Sequence, residues 1–224
     1  MRHRQPIERR LVARVIVASL LLAALTLLAP SAHGQQLLED FLAAVANDWA
    51  SNAKALLARG VDPNSVDRNG DPALVIAARA GNNATLEVLL AARANVNARN
   101  AFGDSALMLA ALSGNLDMVR KLRARGAEIN HAGWTPLIYA ATGGHDAVVR
   151  FLLAEGARID AASPNSTTAL MMAVRERRLS TLDLLIAQGA NVNHRNDDGA
   201  SALDWAERGK EPTFAEHLRR AGAR

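Results

Sequence analysis

A leucine that follows a short turn recurs at Leu74, Leu107, Leu137, Leu170 and Leu203, in steps of 33, 30, 33 and 33. A near-fixed period of this length constrains the fold more than any other feature, because one packing problem is then solved several times over. The unit can be read in "GDPALVIAARAGNNATLEVLLAARANVN" (Gly70 to Asn97), "GDSALMLAALSGNLDMVRKLRARGAEIN" (Gly103 to Asn130) and "GWTPLIYAATGGHDAVVRFLLAEGARID" (Gly133 to Asp160). Each holds a turn, two short apolar patterns at helical spacing, and an exit of the form Gly-Ala-x-[Val/Ile]-[Asn/Asp]. "ANVN" (Ala94 to Asn97) is the same exit with Arg93 in place of Gly.

The residue types have physical reasons. Gly70, Gly103, Gly133 and Gly199 suit the positive-φ backbone of a tight turn. Ser105, Thr135, Thr168 and Ser201 can cap a first helix through their hydroxyls. Pro136 fits a first helical turn, where its missing N–H has no helical partner. The pairs Ala77-Ala78, Ala110-Ala111 and Ala140-Ala141 allow close helix approach, and Gly81, Gly114 and Gly144 end that helix. Leu and Val in "ATLEVLL" and "DAVVRFLL" form the face of a second helix, ended by Gly126, Gly156 and Gly189. A single helix–turn–helix unit cannot bury its apolar face alone, and stacking copies buries it. The step of 30 shortens the finger before Gly133 by three residues.

"GWTPLIYAA" (Gly133 to Ala141) resembles the opening of the ankyrin repeat, Gly-x-Thr-Pro-Leu-His-x-Ala-Ala, and the other units share its frame. The resemblance covers essentially all of the chain after the first residues. It implies an all-α fold: an ankyrin-repeat solenoid of about six helix-turn-helix units with β-turn fingers. The expected units are 35–66 (an N-terminal cap), 67–99, 100–130, 131–162, 163–195 and 196–224 (a C-terminal cap). The family's His after the Leu is absent, with Val75, Met108, Ile138, Met171 and Asp204 standing there. Its hydrogen bonds are expected to be lost or replaced, which weakens the internal polar ties.

The N-terminal residues lie outside this frame. Arg2, Arg4, Arg9, Arg10 and Arg14 precede an uncharged apolar run, Val15 to Ala29, then Pro30 and "SAHG". A basic start, an apolar core and a small-x-small site describe a secretory signal peptide over 1–34, cleaved after Gly34. The run is short for a membrane span, which takes about 20 residues; an uncleaved anchor is the alternative. The whole chain has 26 Lys plus Arg and 22 Asp plus Glu, and taking away the five arginines and one glutamate of 1–34 leaves 21 of each. A neutral remainder removes the argument for nucleic acid, which needs a clustered positive field. No Cys occurs, so neither a disulfide nor a Cys nucleophile is available. The expected location is periplasmic or secreted, and the short leader with a Cys-free, Ala- and Arg-rich composition points to a bacterial periplasm. No stable membrane insertion is expected after leader removal, and a monomer is expected.

Catalysis has little to stand on. No nucleophile elbow, phosphate-binding Gly loop or distinctive carboxylate pair occurs, and the glycines follow the repeat. His131 and His194 start fingers two units apart, about 20 Å if packed layers lie about 10 Å apart, too far to share a metal. "HRNDDG" (His194 to Gly199) lacks the first acid and closing Glu of a calcium loop. No enzyme activity, cofactor or metal is expected. A small enzyme or metal-handling factor on the scaffold, or a membrane-tethered structural part, are the alternative classes.

The resemblance implies instead that fingertips and the exposed side of the first helices form one concave face that binds a protein partner. Mapped through the repeat frame, that face holds Arg68, Asp71, Arg79, Phe102, Asp104, Leu112, Trp134, Tyr139 and Arg175, with Asn69, Asn165, Asp197, Asp198 and Arg208 beside them. Aromatic and Arg residues are the usual interface anchors. The chain is only 4% aromatic, so Phe102, Trp134 and Tyr139 in adjacent units form a concentration. Packing on a neighbouring unit is the competing role for each ring.

Overall fold

A computed structural model describes residues 32–224. The leader's basic stretch and apolar run lie outside the described residues. Twelve helices follow one another in pairs among the described residues: α1 (Ala32–Ala46) and α2 (Ala50–Ala58), α3 (Ala73–Ala80) and α4 (Asn83–Ala91), α5 (Ala106–Leu112) and α6 (Leu116–Ala124), α7 (Pro136–Gly143) and α8 (Asp146–Ala154), α9 (Ala169–Arg175) and α10 (Leu179–Ala187), α11 (Ala202–Arg208) and α12 (Pro212–Arg220). No strand is formed among them. The expected cleavage point after Gly34 falls inside the first turn of α1, so the first helix begins three residues before the expected unit. Among the described residues no helix is long and apolar enough to cross a membrane.

First helices pack on first helices from α3 to α11, and second helices pack on second helices in the pairs α2–α4, α6–α8, α8–α10 and α10–α12. The first-helix layer is thin because Ala77, Ala78, Ala110, Ala111, Ala140, Ala141, Ala173 and Ala206 are fully buried in it. Leu86, Leu89, Met118, Leu122, Val149, Leu152, Leu182 and Leu185 fill the layer of second helices, all fully buried. Thr135 caps α7 by accepting the Ile138 N–H, and Ser105, Thr168 and Ser201 do the same for α5, α9 and α11. Pro136 occupies the first turn of α7.

Close approach explains one pair of glycines. The His145 ring at the start of α8 lies where a Cβ on Gly114 or Gly143 would be 2.4 Å or 2.3 Å away, and its Nε2 hydrogen-bonds the Leu112 carbonyl at 2.9 Å. A side chain from one unit thus closes the end of the preceding unit's first helix. At the exit, Arg93 adopts φ 61° where the other units use Gly. An L side chain there costs about 1 kcal/mol.

The fingers close by single bridges, Val66 to Pro72, Arg99 to Ser105, Ala162 to Thr168 and Arg195 to Ser201. Within each, the residue at the head (Asp67, Asn100, Ser163 or Asn196) accepts backbone N–H groups with its side chain. The finger before Trp134 has no such bridge among the described residues, which is what losing three residues does to it.

The missing His does not loosen the array in the expected way. Val75, Met108, Ile138 and Met171 are buried apolar contacts, and Asp204 closes a capping box by accepting the Ser201 N–H at 2.7 Å. One regular set of polar ties between units sits at the exits. Asn64, Asn97, Asn130, Asp160 and Asn193 each accept a backbone N–H from the following unit, of Asn95, Glu128, Arg158, Asn191 and Arg224, at 2.7 to 2.9 Å. Asn130 also donates to the Gly156 carbonyl at 2.7 Å. The recurring exit residue therefore builds a ladder along one edge of the stack.

Candidate functional site

The predicted face divides into residues that the fold ties together and residues that it leaves exposed. In the unit of α3, Asp71 is buried at 5% exposure and clasps Arg79 through both oxygens, at 2.5 and 3.1 Å. The guanidinium holds the Asp71 carboxyl below the usual carboxylate range, against the opposing effect of burial. Asp71 in turn raises Arg79, and the charges of Asp104 and Asp67 add to it. The expectation that Asp71 stands at a fingertip is corrected: the finger turns its carboxylate inward, where Asp67 Oδ1 accepts the Asp71 N–H at 2.9 Å. Arg79 remains half-exposed but is engaged within its own unit.

The next links cross between units. Tyr139 on α7 donates its hydroxyl to Asp104 Oδ1, 35 residues earlier, and Asn100 Nδ2 donates to the other oxygen at 3.3 Å. Burial, then this hydrogen bond, push the Tyr139 phenol upward, so it stays protonated as a donor. Trp134 meets Tyr139 edge to face, with ring centroids 6.1 Å apart and an interplanar angle of 88°, a favoured aromatic arrangement. Trp134 is half-buried rather than a free tip. Its ring supports Tyr139 next to the finger that lost its bridge, and Pro164 of the following finger lies 3.7 Å from where a Cβ on Gly133 would stand.

Among the described residues, Phe102, Leu112 and Arg175 make no hydrogen bond to this network through their side chains. Phe102 is 87% exposed at the tip of its finger, fixed by its N–H donating to Asn100 Oδ1 at 3.0 Å. Leu112 is 37% exposed. Arg68 is exposed at its fingertip, and Arg175 is exposed at the end of α9. The result is a row of linked side chains, Arg79–Asp71, then Asn100–Asp104–Tyr139–Trp134, flanked by one projecting apolar ring. Such a row offers fixed donors, acceptors and an aromatic surface. Among the described residues no group of three or more His, Cys, Asp or Glu is placed to hold a metal ion.

Two parts of the structure were not read from the sequence. The exit ladder was visible as a recurring Asn or Asp, but only the next unit's backbone reveals its acceptor role. Trp205 stands two residues after its period Leu, as Tyr139 does, and lines a cavity with Arg208; the loss of the acid at the position equivalent to Asp71 is the signal in the sequence for it.

Comparisons with known proteins agree with this architecture. The family model described as ankyrin repeats (3 copies) matches residues 41–132, 74–163 and 126–196. A protein of fowlpox virus (strain NVSL) carrying ankyrin repeats is 36% identical over 97 residues, 41% of this chain and 28% of that protein. The ankyrin repeat and KH domain-containing protein mask of Drosophila melanogaster is 38% identical over 92 residues, 39% of this chain and 2% of its own length. The human ankyrin repeat and KH domain-containing protein 1 is 38% identical over 88 residues, 37% of this chain and 4% of its own. Each match therefore spans less than a third of the relative's length. The crystal structure of the human ASB11 ankyrin repeat domain aligns with a TM-score of 0.75 at 28% identity, covering 82% of this chain and 84% of that one.

Proposed function

This chain belongs to the ankyrin-repeat family, whose repeats are protein-interaction modules, and from that premise we propose that it is an exported, non-catalytic scaffold that binds a protein through its finger and first-helix face. The observation that carries the reading is Phe102. A large apolar ring 87% exposed, in a chain only 4% aromatic, gains nothing from facing water, and it projects beside the Asp104–Tyr139–Trp134 row. Its backbone is held by Asn100, so little ordering cost accompanies contact. Leu112 and Arg68 extend the same surface.

The test is affinity capture from the native cell envelope with mass-spectrometric identification, followed by binding to the captured protein. Phe102→Ala with Trp134→Ala is expected to weaken that binding by more than about 2 kcal/mol, the loss typical of interface anchors. Phe102→Ala alone should leave stability within about 0.5 kcal/mol, as for exposed sites generally. Unchanged binding by the folded double variant would move the interface elsewhere. Export rests on the leader at 1–34. N-terminal sequencing of the exported protein should begin at Gln35, and a full-length chain in the membrane pellet would favour the anchor instead.

A further inference from the structure

Two repeat positions decide what the end of each first helix can do. Five residues after the period Leu stand Arg79, Leu112, Thr142, Arg175 and Arg208. Three residues before it stand Asp71, Asp104, Trp134, Thr167 and Ala200. In the unit of α3 these two positions close on each other as the Asp71–Arg79 clasp. In the units of α9 and α11 the acid is gone, replaced by the buried Thr167 and Ala200. Arg175 is left with one approach of 3.6 Å to Glu176 on its own chain segment, and its side chain is 62% exposed. Arg208 has no ion pair among the described residues; Asp204 feels its charge but is held by Ser201 and Arg195.

The two arginines are one period apart, so they project from neighbouring first helices about 10 Å apart. A cavity of about 410 Å³ lies between them, lined by Arg175, Arg208, Trp205, Val174, Arg177 and Glu211. Arg177 is occupied by Glu211 at 2.5 Å. The half-buried Trp205 supplies an aromatic wall. The cavity thus combines two guanidinium groups that lack the inward clasp seen at Arg79, Arg175 having only the 3.6 Å approach of Glu176, with an apolar surface, in the size range of ligand pockets.

We propose that this cavity takes the carboxylate of an acidic peptide segment of a protein partner, clasped between Arg175 and Arg208, with a neighbouring apolar side chain of the peptide laid on Trp205. The proposal rests on the scaffold reading and names the chemistry of the partner. A carboxylate matches the planar guanidinium fork. A nucleic-acid backbone is not favoured, because the positive field here is limited to Arg175 and Arg208 and lacks the run of basic residues that a string of phosphates needs. The aromatic wall favours a peptide, which brings apolar side chains along with its acids, over a lone small anion.

The full chain is titrated, by fluorescence anisotropy, into a fluorescein-labelled short peptide of alternating Glu and Leu and into its Gln-for-Glu counterpart. The acidic peptide is expected to bind at least about tenfold more tightly, with affinity falling as salt rises. Arg175→Gln with Arg208→Gln should remove about tenfold, whereas Arg158→Gln, an exposed arginine on another surface, should change it less than about twofold. Equal binding of the two peptides, or no loss in the double variant, overturns the proposal. So does displacement of the peptide by succinate or inorganic phosphate at matching concentration, which would make the site a small-anion pocket. No native partner enters this assay, so its failure and a failure of envelope capture are read separately.

Discussion

Leu152 is the position where the stacking argument can be put to a number. It lies on α8, fully buried, in a helix packed against α7 and against α6 and α10 on either side. Leu→Ala removes three carbons, about 2.4 kcal/mol at about 0.8 kcal/mol per buried methylene. Incomplete collapse adds about 1 to 2 kcal/mol for the residual cavity. The fully buried Ala140 and Ala141 on the facing helix leave little side chain that could move into the space, so a total of about 3 to 4 kcal/mol is expected. Urea denaturation followed by far-UV circular dichroism measures it. Because each unit is stabilised by its neighbours, hydrogen exchange should quicken in α6 and α10 as well as in α8. A loss under about 0.5 kcal/mol, or exchange confined to α8, would refute the reasoning, since either result means that second helices do not bury one another as described.

Asn130→Ala removes one acceptor and one donor across the boundary between the units of α6 and α8, and should cost about 1 to 2 kcal/mol in the same urea assay, at about 1 kcal/mol per hydrogen bond. Asp71 has a lowered folded pKa, so its contribution is present above the unfolded value near 3.9 and is lost as pH falls through the folded one. Asp71→Asn should therefore destabilise the protein at neutral pH, and its difference from wild type should shrink on acidification below about pH 4, measured by urea melts across that range; a constant difference would mean that the Arg79 clasp contributes nothing.

The sequence made the fold legible because apolar period, turn glycines and caps all repeat at one spacing, and each copy supports the others. Ser105, Thr135, Thr168 and Ser201 could be assigned as caps because the hydrogen bond lies within four residues of chain. The face was less legible. Asp71 and Arg79 are eight residues apart and fall on different elements, so nothing local shows that they meet. Tyr139 and Asp104 are 35 residues apart, and whether that pair forms depends on how far α7 stands from the preceding finger. Trp134 read as a tip because the repeat frame assumes a full-length finger; shortening by three residues drew it back onto Tyr139. Phe102 kept its expected exposure because its finger is complete and closed by Asn100.

The ladder at the exits has a direction. Each of Asn64, Asn97, Asn130, Asp160 and Asn193 reaches forward to the backbone of the unit that follows, and none depends on a more distant part of the chain. Excising the segment from one exit residue to the next would present an equivalent acceptor to an equivalent N–H, and duplicating it would do the same. Length is then a property that copying can adjust in whole units without redesigning the joints, much as links are added to a chain. A cut of any other size would leave an acceptor facing the wrong part of the backbone, so inheritance of such an array favours gains and losses by the unit.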